Sequence, residues 1–188
     1  MAAERNPLHP VPQDDGDAGL LFLERDTLLL CRRLADALRS RGWRMATAES
    51  CTGGLIAAAC TSLSGSSQWF ERGMVSYSNQ AKTELLGVPA VLIAQHGAVS
   101  EPVARAMAEG ACRRSGAQAA LAVTGVAGPG GGSRDKPVGT VWFGWQLGTL
   151  SATEMRCFPG DRAAIRAATV RHALQGLLER LQTLRRAH

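Results

Sequence analysis

The amino-acid sequence predicts a single α/β domain, a mixed and partly parallel β-sheet covered by helices on both faces. Three observations predict it. Short apolar runs of strand length alternate with longer segments whose apolar residues recur at helical spacing. Two neighbouring runs, VGTVWFGWQL and LSATEMRCF, meet near Gly148 and read as a hairpin. No repeat or internal linker divides the chain, and 188 residues suffice for one domain with a real core.

Taken in order, residues 1–18 are polar, with three prolines and three aspartates, and read as a disordered arm; 19–186 remain for the folded domain. From Leu20 to Ser40, Leu20, Leu23, Leu30, Leu34 and Leu38 recur mostly at helical spacing, and Gly42 punctuates the end. WRMATAE (43–49) is a short strand, TGGLIAAACTSL (52–63) a helix of small residues, and GMVSYS (73–78) a second strand. NQAKTELLG is a short helix closed by Gly87, Pro89 opens another, and EPVARAMAEGACRRSG stops at Gly116. AQAALAV is a strand that runs into TGVAGPGGGSRDKP, a glycine-rich loop too long for a simple turn. After the hairpin, Ile165, Ala168, Leu174, Leu177, Leu178, Leu181 and Leu184 form the apolar stripe of a long closing helix from Asp161.

Composition narrows the function. The chain is 45% hydrophobic and 20% charged, as in ordinary soluble proteins. No apolar run reaches the ~18 residues of a membrane span, and no basic-then-apolar signal opens the sequence, so a cytoplasmic protein without membrane contact is expected. Five scattered cysteines with no C-x-x-C pair argue against a disulfide framework and a zinc site. The four histidines form no ligand-spaced cluster, so neither metal nor cofactor is expected. A net charge of +5 suggests an anionic partner, either nucleic acid or a phosphorylated small molecule, unless it is a solvated basic face. Only 5% of residues are aromatic, with no basic-aromatic pattern, which weakens the nucleic-acid option. Of the 21 basic residues, only Lys82 and Lys136 are lysines; Tyr77 is the single tyrosine. A chain so biased to arginine keeps lysine where arginine cannot serve, for example in proton transfer.

Three segments can carry chemistry. In AESCTGG, Ser50 is either a helix N-cap or a nucleophile whose oxyanion nearby N–H groups stabilise, while Gly53 and Gly54 let a ligand approach the backbone. Cys51 is the alternative nucleophile, or faces the core. SYSNQAK brings Tyr77, Asn79 and Lys82: a desolvated lysine can accept a serine proton with tyrosine as relay, or Lys82 faces solvent and Tyr77 the core. TGVAGPGGGS offers many N–H groups to a phosphate or carboxylate, or is a surface loop.

Taken together, AESCTGG, GSSQWFERGMVSYSNQAK, GVAGPGGGS with KPVGTVW, and PGDR resemble the C-terminal domain of the CinA family, over about residues 25–184. The N-terminal nucleotide-pyrophosphatase-like domain of its two-domain members has no counterpart here. The resemblance implies hydrolysis of the carboxamide of nicotinamide mononucleotide to nicotinic acid mononucleotide and ammonia, a pyridine-nucleotide salvage step. It places the catalytic serine at Ser50, the tyrosine at Tyr77 and the lysine at Lys82, with Tyr77 assisting Lys82. Backbone N–H groups of Cys51, Thr52 and Gly53 would hold the oxyanion, Gly53 and Gly54 would give the substrate clearance, and Asn79, Thr124, Gly125, Ala127, Gly128, Pro129 and Gly130 would bind it. Arg162 would meet the phosphate or pair with an acid on its helix. The resemblance also suggests a homo-oligomer, and the family's link to competence and DNA damage keeps nucleic acid as a lesser alternative.

Overall fold

The computed structural model describes residues 24–186. Its elements follow in the order α1 (Arg25–Arg39), β1 (Met45–Glu49), α2 (Leu55–Thr61), β2 (Phe70–Val75), α3 (Asn79–Leu86), α4 (Ala90–His96), α5 (Glu101–Ser115), β3 (Ala119–Gly125), β4 (Thr140–Leu147), β5 (Leu150–Cys157) and α6 (Arg162–Arg186). The expected arm over 1–18, and the part of the first helix from Leu20 to Leu23, lie outside the described residues.

The strands form one sheet in the order β2-β1-β3-β4-β5. β1 lies parallel to both β2 and β3, while β4 and β5 add an antiparallel hairpin. The mixed sheet read from the sequence is therefore present, and its two halves differ in sequence for a physical reason. β1 and β3 are covered on both faces, which is why MATAE and AALAV carry no charged face.

Alternation along these strands sorts the core into two layers. Met45, Leu121, Val123, Phe143 and Trp145 pack with α1, α2 and α6. Ala46, Ala48, Ala120 and Ala122 point the other way, toward Met107, Ala108 and Ala111 of α5 and Leu86 of α3. The alanines keep that face shallow, and Gly144 on β4 lets α5 close in: a Cβ there would collide with the carbonyl of Ala104. α5 consequently lies directly on the sheet. On α6, Ile165, Leu174, Leu177, Leu178 and Leu181 are buried as the stripe requires; Ala168 and Leu184 sit at its half-buried margin. No helix among the described residues is long and apolar enough to cross a membrane.

Two of the boundaries that differ from the sequence reading shape the site. β2 ends at Val75 rather than Ser78, because the Ser76 N–H turns to the Glu49 carbonyl and the Ser78 hydroxyl caps α3 by accepting the Ala81 N–H. α2 begins at Leu55 rather than Thr52, because Gly53 and Gly54 adopt left-handed φ values of 61° and 98°.

Candidate active site

Three parallel strands deliver their C-terminal ends to one edge of the sheet, where ligands collect in such folds. Ser50 immediately follows β1, and its N–H is held by the Val123 carbonyl of β3 at 3.1 Å. Lys82 sits on α3, the first helix after β2, and reaches back under the edge. Its Nζ donates to Ser50 Oγ at 3.1 Å and to the Ser76 carbonyl at 2.9 Å. Only 1% of Lys82 is exposed, so the solvent-facing alternative is excluded. Above the pair opens a cavity of about 220 Å³, walled in part by Tyr77, Asn79, Thr124 and Arg162.

The turn that carries Ser50 is organised from beneath by Glu49, which is fully buried. Its carboxylate accepts hydrogen bonds from the Thr47 and Thr52 hydroxyls at 3.2 and 2.7 Å. It also accepts the N–H groups of Gly54, Ile56 and Ala57 at 3.0, 3.0 and 2.8 Å. Glu49 thereby satisfies the start of α2, so Ser50 is not the helix cap and its hydroxyl is left for Lys82. The same bonds correct the expected oxyanion site. The Gly54 N–H belongs to Glu49, the Gly53 N–H donates to the Ser50 carbonyl at 3.1 Å, and the Thr52 side chain turns inward. Among the described residues, the N–H groups of Cys51 and Thr52 are the ones in this turn that no carbonyl, hydroxyl or carboxylate oxygen of the protein accepts.

Electrostatics separates the two nucleophile candidates. Burial lowers the pKa of Lys82, favouring its neutral, proton-accepting form. Among the described residues no carboxylate pairs with it to restore the charge. Burial pushes the Cys51 thiol up to about 12, so near neutral pH it stays protonated and packs in the core. Of the two, Ser50 is the side chain that meets the Lys82 amine.

At the cavity mouth, Tyr77 is 61% exposed, not a core residue. Its hydroxyl accepts from Arg162 Nη2 at 3.1 Å and makes no bond to Lys82, so the expected Tyr77–Lys82 relay is replaced by a Tyr77–Arg162 contact. Arg162 opens α6, where Asp161 caps the helix by accepting the Ala164 N–H. Its other nitrogen donates to the Gly128 carbonyl at 2.8 Å, not to an acid on the helix.

The glycine-rich loop contributes less than its composition suggests. Thr124, Gly125 and Ala127 line the cavity, and Gly128 acts through its carbonyl. Pro129 and Gly130 are exposed and lie off the cavity lining. The loop folds back on itself through Val126–Thr140, Gly139–Val126 and Ser133–Lys136 backbone bonds, and Lys136 Nζ ties it to the His96 carbonyl. Two wall residues, Ala98 and Val99, escaped the sequence reading, as did Ser76. Ala98 and Ser76 act here through their carbonyls, the former accepting from Thr124 Oγ1 at 2.9 Å, and such a role leaves no side-chain signature.

The model of the CinA C-terminal domain family matches residues 29–181. The chain is 56% identical over 150 residues to the nicotinamide-nucleotide amidohydrolase PncC of Pseudomonas putida, covering 80% of this chain and 94% of that protein. It is 48% identical over 155 residues to the protein of the same name from Escherichia coli K12, covering 82% and 94%. The crystal structure of competence damage-inducible protein A from Klebsiella pneumoniae matches with a TM-score of 0.80 at 42% identity, covering 82% of this chain and 96% of that one.

Proposed function

The chain belongs to the CinA C-terminal domain family, and from that premise we propose that it hydrolyses the carboxamide of nicotinamide mononucleotide to nicotinic acid mononucleotide and ammonia. One observation carries the mechanism: the buried amine of Lys82, free of any carboxylate partner among the described residues, lies 3.1 Å from Ser50 Oγ. Neutral Lys82 takes the Ser50 proton as Oγ attacks the amide carbon. The oxyanion that forms is received by the N–H groups of Cys51 and Thr52. Lys82 then returns its proton to the departing nitrogen, ammonia leaves, and an ester to Ser50 remains. A water molecule, deprotonated by Lys82, attacks that ester; Lys82 then hands the proton to the departing Ser50 oxygen, freeing the carboxylate product and restoring both groups. Arg162, held at the mouth by Gly128 and Tyr77, is placed to meet the phosphate.

The basic last helix supports a small substrate over nucleic acid. Arg171 and Arg180 pair with Glu24 and Glu154, and Arg166 turns inward to the Thr52 carbonyl, so these arginines do not form a free stripe. This reading places the enzyme in the cytoplasm, with its metabolite. The test is ammonia release from nicotinamide mononucleotide by the wild type and by Ser50→Ala. Turnover by the wild type with a loss of at least ~10³-fold in the variant is expected. A wild type that binds the nucleotide without releasing ammonia removes the reading.

A further inference from the structure

We infer that Arg166 is a positioning residue for this amide hydrolysis, locking from behind the turn that aims the oxyanion-binding N–H groups; the inference rests on the amidohydrolase reading. Arg166 follows Arg162 by four residues on α6, so both leave the same helix face. Arg162 goes to the cavity mouth, whereas Arg166 passes behind the nucleophile turn. There its Nη2 donates to the Thr52 carbonyl at 2.9 Å, across 114 positions of sequence.

That bond begins a short chain of fixed peptide planes. The Thr52–Gly53 peptide is held at both ends, its carbonyl by Arg166 and its N–H by the Ser50 carbonyl. The Ser50 carbonyl shares a rigid plane with the Cys51 N–H, pointing the opposite way. Fixing one therefore fixes the direction of the other. Glu49 anchors the turn at Thr52 Oγ1 and at α2 N–H groups, while the Thr52 carbonyl accepts Arg166 at 2.9 Å and, at a longer 3.3 Å, the Leu55 N–H.

The guanidinium is also not neutralised by an acid. Among the described residues no carboxylate pairs with it, and its buried Nε has no protein acceptor. Arg171 and Arg180, farther along α6, are instead paired with Glu24 and Glu154. An arginine kept charged and unpaired beside the turn favours the negative charge that develops there only as the amide is attacked. Its effect therefore belongs to turnover more than to substrate binding.

The experiment compares kcat and KM for ammonia release from nicotinamide mononucleotide by wild type, Arg166→Lys and Arg166→Ala, with melting curves for each. For Arg166→Ala a fall in kcat of roughly 10- to 100-fold is expected, with KM changed by less than about threefold. Added methylguanidine should restore part of that kcat, and Arg166→Lys should fall between the two. If Arg166→Ala does not fold, Arg166→Lys carries the kcat comparison alone. Unchanged kcat in a folded variant overturns the inference and leaves the amidohydrolase reading intact. A rise in KM at constant kcat does the same, since it marks a substrate-binding group. An inert wild type overturns both.

Discussion

Glu49 and Lys82 are both buried against the turn of Ser50, one below it and one across it, yet the two regions behave oppositely. Around Glu49, five donors converge on two oxygens. Around Lys82, two oxygens face one amine, and no carboxylate answers its charge among the described residues. The first region is saturated and therefore fixed. The second is undersupplied, and its charged form is penalised by burial. Burial alone thus does not mark a reactive group; the mismatch between burial and satisfaction does.

The sharpest way to break this contrast is Lys82→Met. Activity should fall by at least ~10³-fold, because the proton acceptor is gone. Stability should change by no more than about 1 kcal/mol, or rise, because a costly buried amine is replaced by an apolar chain. A large loss of stability would place Lys82 with Glu49 as a structural group. In the wild type, kcat/KM should climb with pH as Lys82 sheds its proton, and level off below the usual lysine value of 10.5. A limb centred at or above that value would deny the lowered pKa.

Glu49→Gln should show the reverse pattern. An amide sets an NH₂ against donors, so we expect about 3 kcal/mol lost in urea unfolding. Activity of the folded fraction should fall less than in Lys82→Met. The smallest effect is expected for Cys51→Ala, within about threefold of wild-type activity, since a thiol with a pKa of about 12 offers little thiolate near pH 7. A hundredfold loss there would move the nucleophile to Cys51.

Much of this was legible in the sequence wherever one physical signal dominated. Leu30, Leu34 and Leu38 of α1 and Leu174, Leu177, Leu178 and Leu181 of α6 are buried as periodicity requires, and the hairpin turns at Gly148 as expected, whereas α1 starts only at Arg25. β2 was read three residues late because it is an edge strand. There FERG can carry an exposed arginine and an ion pair, Arg44 to Glu71 at 2.6 Å, while the more apolar GMVSYS looked the better strand. The start of α2 was misplaced because its N–H groups are satisfied by Glu49, from the end of the preceding strand rather than from the usual capping position.

In the site, Ser50 and Lys82 stood out by residue type and by the scarcity of lysine. Their spacing of 32 positions is short enough for neighbouring elements to bring together. The partner of Tyr77 lies 85 positions away, and no local pattern announces it. Arg166 looked like any other arginine of a basic helix, because what distinguishes it is a single carbonyl 114 positions earlier.

That long reach has a consequence for the order in which the molecule comes into being. Ser50 and Lys82 emerge from synthesis early, within the first half of the sequence. The helix that pins the Thr52 carbonyl and fills one layer of the core comes last. A partly made chain therefore holds a serine and a lysine but not the clamp behind them, nor the apolar cover that Ile165, Leu174 and Leu177 lay over β3 and β4. The turn that carries Ser50 thus reaches its described form only with α6 in place.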